Sequence, residues 1–176
     1  MVNKNFKAIL QAILLANGGN GVIPITKPNG STAYLAADFS NNQVFPYAVP
    51  SASVSVDTTI NYRGIYIGSG DTPATENDYT LQNFISSGIN STGTITHNVD
   101  ANNNPYKAFT ITLTNTTNSN ITIKEVGYAI SCYASNTFNG STSMIYMLID
   151  RTVLETPLTV PANGTAILYY ELKSII

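Results

Sequence analysis

The hydrophobic pattern of this chain has a helical period near its N-terminus. Apolar residues recur there at positions i, i+3, i+4, i+7 and i+8, which places them in one stripe along a helix. They are Phe6, Ile9, Leu10, Ile13 and Leu14. The spacing predicts an amphipathic helix over 3–16, with Asn3 or Asn5 as its cap. The helix should end at Asn17, because the glycines that follow it favour a helix C-terminus.

The same segment could also be interpreted as a signal peptide, with Lys4 and Lys7 before an apolar core at 8–16. Gln11 interrupts that core, and no small-x-small cleavage site precedes Asn17. No stretch approaches the roughly 20 apolar residues of a membrane span. We therefore expect a retained helix. It packs on its own domain or docks into a neighbouring subunit, and the sequence leaves both open.

Beyond residue 21 the pattern changes to short runs rich in β-branched and aromatic residues, separated by Asn, Gly, Pro and Ser. Such runs, with turn signals between them, predict an antiparallel all-β fold. Five Asn-Gly pairs supply residues that tolerate the positive φ of tight turns. The predicted strands are 22–26, 33–37, 51–56, 60–67, 92–99, 107–115, 121–133, 143–149 and 165–172.

Alternation is clearest over 107–115, where Phe109, Ile111 and Leu113 share one face and threonines take the other. The next strand changes phase, which predicts a β-bulge near 125–127. The short polar segment 116–120 predicts that strands 107–115 and 121–133 form a hairpin.

The predicted fold class is mainly β: an antiparallel β-sandwich with one N-terminal amphipathic helix. Met144–Ile149 is apolar on both faces, as expected of a central strand. Pro157 is expected to fix the entry to a strand, and Asn163-Gly164 to make the tight return that leaves 165–172 to close a sheet. Prolines and serines near residue 50 suggest a boundary between an N-terminal helix and extended arm (1–50) and the sandwich domain (51–176).

Charge is scarce in this chain and excludes some classes of function. Only 10% of residues are charged, against about 25% in an average soluble domain. Eight basic and ten acidic residues give a net charge of −2. The chain therefore has no excess of basic residues to neutralise the phosphates of a nucleic acid. One Cys and one His cannot build a disulfide framework or the usual zinc site. A surface of Thr, Asn, Ser and Tyr suits an assembly subunit or a secreted β module.

Candidate chemistry is sparse. Gly68-Ser69-Gly70 follows an apolar strand but lacks the Lys-Ser/Thr of a phosphate loop. His97 is in phase with Ile95 and Val99, which favours a buried or interface histidine over a catalytic base. Cys132 lies in an apolar run and is expected to be a buried structural thiol.

Acidic residues offer two further kinds of site. Glycoside hydrolysis needs two facing carboxylates, and nothing in the sequence pairs the glutamates Glu76, Glu125, Glu155 and Glu171. Asp71–Asp78 and Asp100–Asn104 supply the oxygen ligands that calcium prefers, without the spacing of an EF-hand loop. We predict no catalytic residue, no metal site and no cofactor, with calcium as the one ion left open.

Two stretches carry a resemblance to a known class of proteins. Residues 64–81 (GIYIGSGDTPATENDYTL) are similar to a G-x-G-x-[ST]-x-P-x-x-x-D-Y-x-L segment, and residues 109–130 with 147–172 contain FTITLTNTTNSNITIKEVGYAI and MLIDRTVLETPLTVPANGTAILYYEL. Together they resemble virion structural proteins of tailed bacteriophages. The resemblance implies a virion component and brings no catalytic residues.

From the composition and the resemblance we expect a non-enzymatic structural subunit of a phage virion, as a capsid-associated or decoration, head-fibre or tail component. Its expected partners are other virion proteins and copies of itself, with no nucleic acid and no membrane. The predicted contact residues are those of the helix stripe, Phe6, Ile9, Leu10, Ile13 and Leu14. The alternative is a carbohydrate-binding or adhesive β-sandwich of a surface or secreted protein, with a host-surface glycan as partner. A hydrolase is the third class.

Overall fold

The structure, a computed structural model, describes residues 3–14, 22–36, 46–47, 64–135 and 142–173. These residues form one helix and nine strands. They are α1 (Lys4–Leu14), β1 (Val22–Thr26), β2 (Thr32–Ala36), β3 (Pro46–Tyr47), β4 (Gly64–Gly68), β5 (Ile89–Val99), β6 (Pro105–Asn115), β7 (Ile121–Ser135), β8 (Thr142–Val160) and β9 (Thr165–Lys173). The mainly β prediction is confirmed. The predicted strand 51–56 lies outside the described residues.

Two antiparallel sheets face each other across the core. In the first, β7 is the central strand: β8 pairs along one of its edges, and β3 and β4 pair with successive parts of the other. The second sheet has the order β5-β6-β9. The ring of Phe109 on β6 lies 5.3 Å from that of Tyr128 on β7, between ring centres. The arrangement is that of the predicted sandwich, with a small third sheet formed by β1 and β2.

The predicted hairpin of 107–115 with 121–133 is wrong. Strand β6 pairs with β5 and β9, whereas β7 belongs to the opposite sheet. Asn115 directs this crossing: its amide Nδ2 donates to Ser119 O (2.7 Å) and Val160 O (3.1 Å). Its Oδ1 accepts from the backbone and hydroxyl of Thr117. A buried asparagine therefore folds 116–120 into a connection between sheets.

Strand β8 is longer than predicted and interrupted. The predicted strand 143–149 continues through Asp150 and Arg151 to Val160. Its register against β7 shifts between Glu125↔Val153 and Ile123↔Leu158, so residues 154–157 bulge out opposite a single residue. Pro157 lies in this bulge, where a missing N–H costs no ladder bond, and not at the entry to a strand as predicted. The bulge expected near 125–127 is displaced: those residues pair regularly, and the register shifts lie on either side of them, at Ile123/Glu125 and at Tyr128/Ala129.

The helix packs on its own chain. Ala8 and Ile9 of α1 belong to the same buried cluster as Ile25 of β1 and Phe109 of the sandwich. Asn3 caps the helix, since its Oδ1 accepts from the backbone N–H of Phe6 (3.3 Å). The proposed boundary at residue 50 stays a prediction, because 48–63 lie outside the described residues.

Candidate functional site

The outward side of the β5-β6-β9 sheet is a surface composed mainly of small polar side chains. Its inward side carries Phe109, Ile111 and Leu113, each at most 1% exposed, so alternation sends the residues between them outward. We call the outward set the threonine face. Its residues are Asn90, Thr92, Thr94 and Thr96 of β5, Ala108, Thr110, Thr112 and Thr114 of β6, and Thr165, Ile167, Tyr169 and Glu171 of β9.

Strand register aligns these residues in rows across the sheet. Thr94 lies opposite Thr110, and Thr110 opposite Tyr169. The neighbouring row is Thr92, Thr112 and Ile167. Adjacent strands are about 4.8 Å apart, and successive outward residues of a strand about 6.7 Å apart. The threonine face is therefore a regular array of hydroxyl and methyl groups.

Two large side chains project from this array. Tyr169 is 70% exposed and Ile167 is 50% exposed. Both lie on β9, within reach of the threonines of β6. An exposed aromatic and an exposed aliphatic group beside uncharged hydroxyls form a surface that can be buried against a partner without desolvating a charge.

Charge enters the threonine face only at one end. Glu171 is the only acidic or basic residue in the set, and its carboxylate accepts a hydrogen bond from Lys173 Nζ at 2.8 Å. This ion pair raises the pKa of Lys173 through the hydrogen bond and the charge of Glu171. The same ammonium lies 5.6 Å from the centre of the Tyr106 ring. The rest of the threonine face is neutral.

The residues of the predicted contact stripe on the helix differ in their burial. Ile9 is 3% exposed and lies in the chain's own core, where it offers no surface to a neighbour in this conformation. Phe6 is half-buried against the same core. Leu10 is 45% exposed and keeps a free apolar surface. The side chains of Ile13 and Leu14 lie outside the described residues, and for the stripe as a whole the contact role stays a prediction.

Two helix asparagines fix α1 to the sandwich. Asn3 Nδ2 donates to Leu148 O (2.7 Å) and to Asp78 O (2.9 Å). Asn5 Nδ2 donates to Leu148 O (3.1 Å) and Thr26 O (2.8 Å), while its Oδ1 accepts from the N–H of Thr26. Both side chains are buried. The helix is thus attached in cis by specific hydrogen bonds as well as by apolar contact.

A buried ionic cluster holds the loop after β4 against the outer side of the first sheet. Glu125 of β7 is fully buried, and Arg151 of β8 is 1% exposed. Arg151 Nε donates to Glu125 Oε2 at 2.7 Å, Nη1 to Asp78 Oδ2 at 2.8 Å, and Nη2 to Thr72 O at 3.0 Å. One guanidinium therefore joins β7 to two points of the loop.

Glu125 also binds the loop backbone directly. Its carboxylate accepts from the N–H groups of Gly70 (3.1 Å), Gln82 (3.1 Å) and Asn83 (2.8 Å). A Cβ at Gly70 would lie 2.7 Å from Glu125 Oε1, so the close approach requires glycine there. Within the Gly68–Gly70 turn, the N–H of Gly70 therefore meets an anion that the chain itself supplies, whereas the N–H of Ser69 donates to Asn83 O.

Charges and hydrogen bonds in this cluster shift two pKa values. Burial raises the pKa of Asp78, but hydrogen bonds from Thr75 and Arg151 outweigh it and leave the pKa below its ordinary value. Burial likewise opposes protonation of Arg151, while its bonds to Asp78 and Glu125 raise the pKa above the ordinary value. Both groups are therefore charged at neutral pH, and the cluster acts as a structural tie.

A second buried acid lies between the two sheets. Tyr170 of β9 donates its hydroxyl hydrogen to Asp150 Oδ2, which also accepts from Thr152 Oγ1 at 3.2 Å. Burial, followed by the charge of Asp150, raises the pKa of Tyr170 well above its ordinary value. Burial also raises the pKa of Tyr128. These groups are packed into the core and present no reactive atom to a cleft.

The acidic stretches considered for calcium are occupied by the chain's own donors. Asp71 accepts from Lys124 Nζ (2.8 Å), which lowers the pKa of Asp71, and Glu76 accepts from Lys7 Nζ (2.6 Å). Asp100 closes its own turn by accepting from the N–H of Asn104 (2.9 Å). Within the described ranges no cluster of three or more His, Cys, Asp or Glu could hold a metal ion.

The remaining candidates are dispersed. His97 lies on the same side of β5 as Ile95, as the spacing predicts, but it is exposed near the end of the strand opposite Lys107, so the expectation of a buried histidine is wrong and an interface role stays a prediction. Glu155 is exposed in the β8 bulge, four residues after Arg151 along the chain. Cys132 lies on β7 opposite Ile145, and its side chain is outside the described residues. The structure does not bring these groups together.

Sequence reasoning missed the Glu125–Arg151–Asp78 cluster. The available signal was Asp150-Arg151 directly after a strand that is apolar on both faces. A strand buried on both sides cannot continue through charged residues unless partners satisfy them. That rule points to acids elsewhere in the chain, although it does not say which.

Comparison of the chain with protein-family models, with curated proteins and with solved structures gave no significant match. The family relationship suggested by the sequence therefore stays a prediction. No helix among the described residues has both the length and the apolar character to cross a membrane.

Proposed function

We propose that this chain is a non-enzymatic structural subunit of a phage virion, acting through contacts with other virion proteins and copies of itself. Capsid-associated, head-fibre and tail positions all fit the proposal. The observation that carries it is the threonine face: an almost uncharged side of a sandwich with regular strand register, on which Ile167 and Tyr169 are exposed. Burying such a surface against a neighbour removes apolar area from water and desolvates few charges.

The two stretches that resemble virion proteins support the proposal from another direction. The first, 64–81, corresponds to β4 and the loop attached by Glu125 and Arg151. The second covers most of β6, most of β7, the later part of β8 and most of β9. The resemblance therefore includes two of the three strands that form the threonine face, β6 and β9, whereas β5 lies outside both stretches.

Particle fractionation tests this proposal. A lysate from cells producing the phage that encodes the chain is separated on a density gradient, and the chain is located by antibody. We expect it in the particle band, and we expect particles made without the gene to lack it. A chain that remains wholly in the soluble fractions would refute the virion assignment.

A carbohydrate-binding or adhesive module is the second candidate, and Tyr169 favours it. An aromatic ring that is 70% exposed and flanked by threonine hydroxyls can stack on a sugar while the hydroxyls bond to it. This function predicts glycan-array binding that Tyr169→Ala abolishes and Tyr79→Ala, at another exposed tyrosine, leaves intact. If the wild-type chain binds no glycan on the array, the carbohydrate-binding function is excluded.

A further inference from the structure

Strand β5 forms one end of the β5-β6-β9 sheet. It is 11 residues long, and no strand within the described ranges pairs with its other side. Its pairing with β6 runs from Ile89↔Asn115 to Val99↔Pro105 without a register shift. A long regular edge of this kind offers backbone N–H and C=O groups to another strand.

This edge lacks the features that usually prevent pairing between molecules. Ile89–Val99 contains no proline and no charged residue. Natural edge strands are normally protected by lysine, proline, bulges or a covering element. The opposite edge, β9, carries Glu171 and Lys173. The contrast indicates that β5 is the edge built to accept a partner.

We propose that β5 pairs antiparallel with β5 of a second copy of this chain, so that two three-stranded sheets become one six-stranded sheet. Full overlap of the strand sets the register: Ile89 lies opposite Val99 of the copy, and Thr94 lies opposite Thr94 across the two-fold axis. Thr92 then faces Thr96 of the copy. Threonine pairs across strands are favourable, and no like charges meet.

Self-complementarity is what identifies a second copy as the partner. Antiparallel pairing about a two-fold axis closes the contact after two chains. It also continues the threonine face across the axis, because outward residues of one β5 meet outward residues of the other. The inference rests on the edge alone: a dimer found outside any particle would uphold it and leave the virion proposal to the gradient experiment.

Introducing a charge at the two-fold axis tests the pairing. Thr94 is exposed, so Thr94→Lys and Thr94→Glu should fold as the wild type does, which circular dichroism checks. Sedimentation equilibrium of the full chain should show a wild-type dimer. Each variant alone should dimerise about tenfold or more weakly, because two like charges meet about 5 Å apart. An equimolar mixture of the two variants should restore the dimer as a mixed pair.

Thr110→Lys is the matched control. Thr110 lies in the same row of the threonine face, one strand further from the axis. Two copies of it would be about 14 Å apart across three strand spacings, beyond the screening length of about 8 Å at physiological salt. It should dimerise as the wild type does. A monomeric wild type, equal loss in Thr110→Lys and Thr94→Lys, or no recovery in the mixture would each overturn the proposal.

A cysteine at the axis tests the register by a second readout. Thr94→Cys should form a disulfide-linked dimer under mild oxidation, since cross-strand neighbours lie within the Cα separation of about 4.4–6.8 Å that a disulfide spans. Thr110→Cys, and the wild type with its own Cys132, should not. Equal cross-linking in all three proteins would contradict pairing at Thr94.

Discussion

Removal of the Arg151 side chain should destabilise this fold more than removal of any exposed basic group. Arg151 is 1% exposed and makes charged hydrogen bonds to Glu125 and Asp78 at 2.7 and 2.8 Å, with a third bond to Thr72 O. Arg151→Ala leaves the carboxylate of Glu125 fully buried without its counter-ion. The loop after β4 also loses its attachment to β8.

The magnitude follows from the burial of the charge that is left behind. Breaking a buried ion pair by removing one partner costs about 3–5 kcal/mol. For a chain of 150–250 residues each kcal/mol lowers Tm by roughly 2–4 °C. We therefore expect the Tm of Arg151→Ala to fall by about 6–20 °C. The cost of about 3–5 kcal/mol is a large share of the roughly 5–15 kcal/mol that typically stabilises a domain.

Thermal and urea unfolding, followed by circular dichroism, measure this change. Lys124→Ala is the matched control, because Lys124 Nζ lies 2.8 Å from Asp71 Oδ2 in a solvent-exposed pair. Exposed pairs contribute little, so this control should unfold almost as the wild type does. If both substitutions lower the stability by the same small amount, burial does not determine how much these ion pairs contribute to the free energy of unfolding, and the prediction is refuted.

Further predictions concern other buried groups. The pKa of Asp78 is lowered on folding, so its ionisation stabilises the fold above the unfolded value near 3.8 and ceases to do so as pH falls through the folded value. The Tm gap between the wild type and Asp78→Asn should therefore close below that pH. The pKa of Tyr170 is raised, first by burial and then by Asp150, so its contribution is present below about pH 10 and is lost as pH rises through the folded value. In an absorbance titration Tyr170→Phe should abolish a late-ionising tyrosine seen in the wild type; an unchanged curve would contradict this. Asn5→Ala removes the amide bonded to Leu148 O and should cost about 1–3 kcal/mol in urea unfolding, whereas no measurable loss would show that the Asn5 hydrogen bonds do not stabilise the helix attachment.

Side-chain direction was predictable from this sequence because the β pleat fixes it. Phe109, Ile111 and Leu113 alternate with threonines, and the structure buries the first set and exposes Thr110 and Thr112. The same alternation says nothing about which strand lies alongside. Strands β6 and β7 both bury one face in the same core, and they do so from opposite sheets.

The connection between these strands depends on a contact that is distant in sequence. Asn115 Nδ2 reaches Val160 O, 45 residues away, and this bond helps turn the chain from one sheet to the other. The ionic cluster has the same character, since Arg151 meets Asp78 73 residues away. Local patterns predicted the strands, whereas the pairing of buried polar groups required the three-dimensional structure.

Amide hydrogen exchange, compared between the free chain diluted until it is monomeric and the chain in the particle, tests whether the β5-β6-β9 sheet is the contact surface. We expect the peptide covering Ile89–Val99 to exchange more slowly in the particle, while the peptides of β1 and β2 serve as internal controls that do not change. Unchanged exchange over Ile89–Val99, with protection confined to Lys4–Leu14, would refute a contact through this sheet and place the contact on the helix.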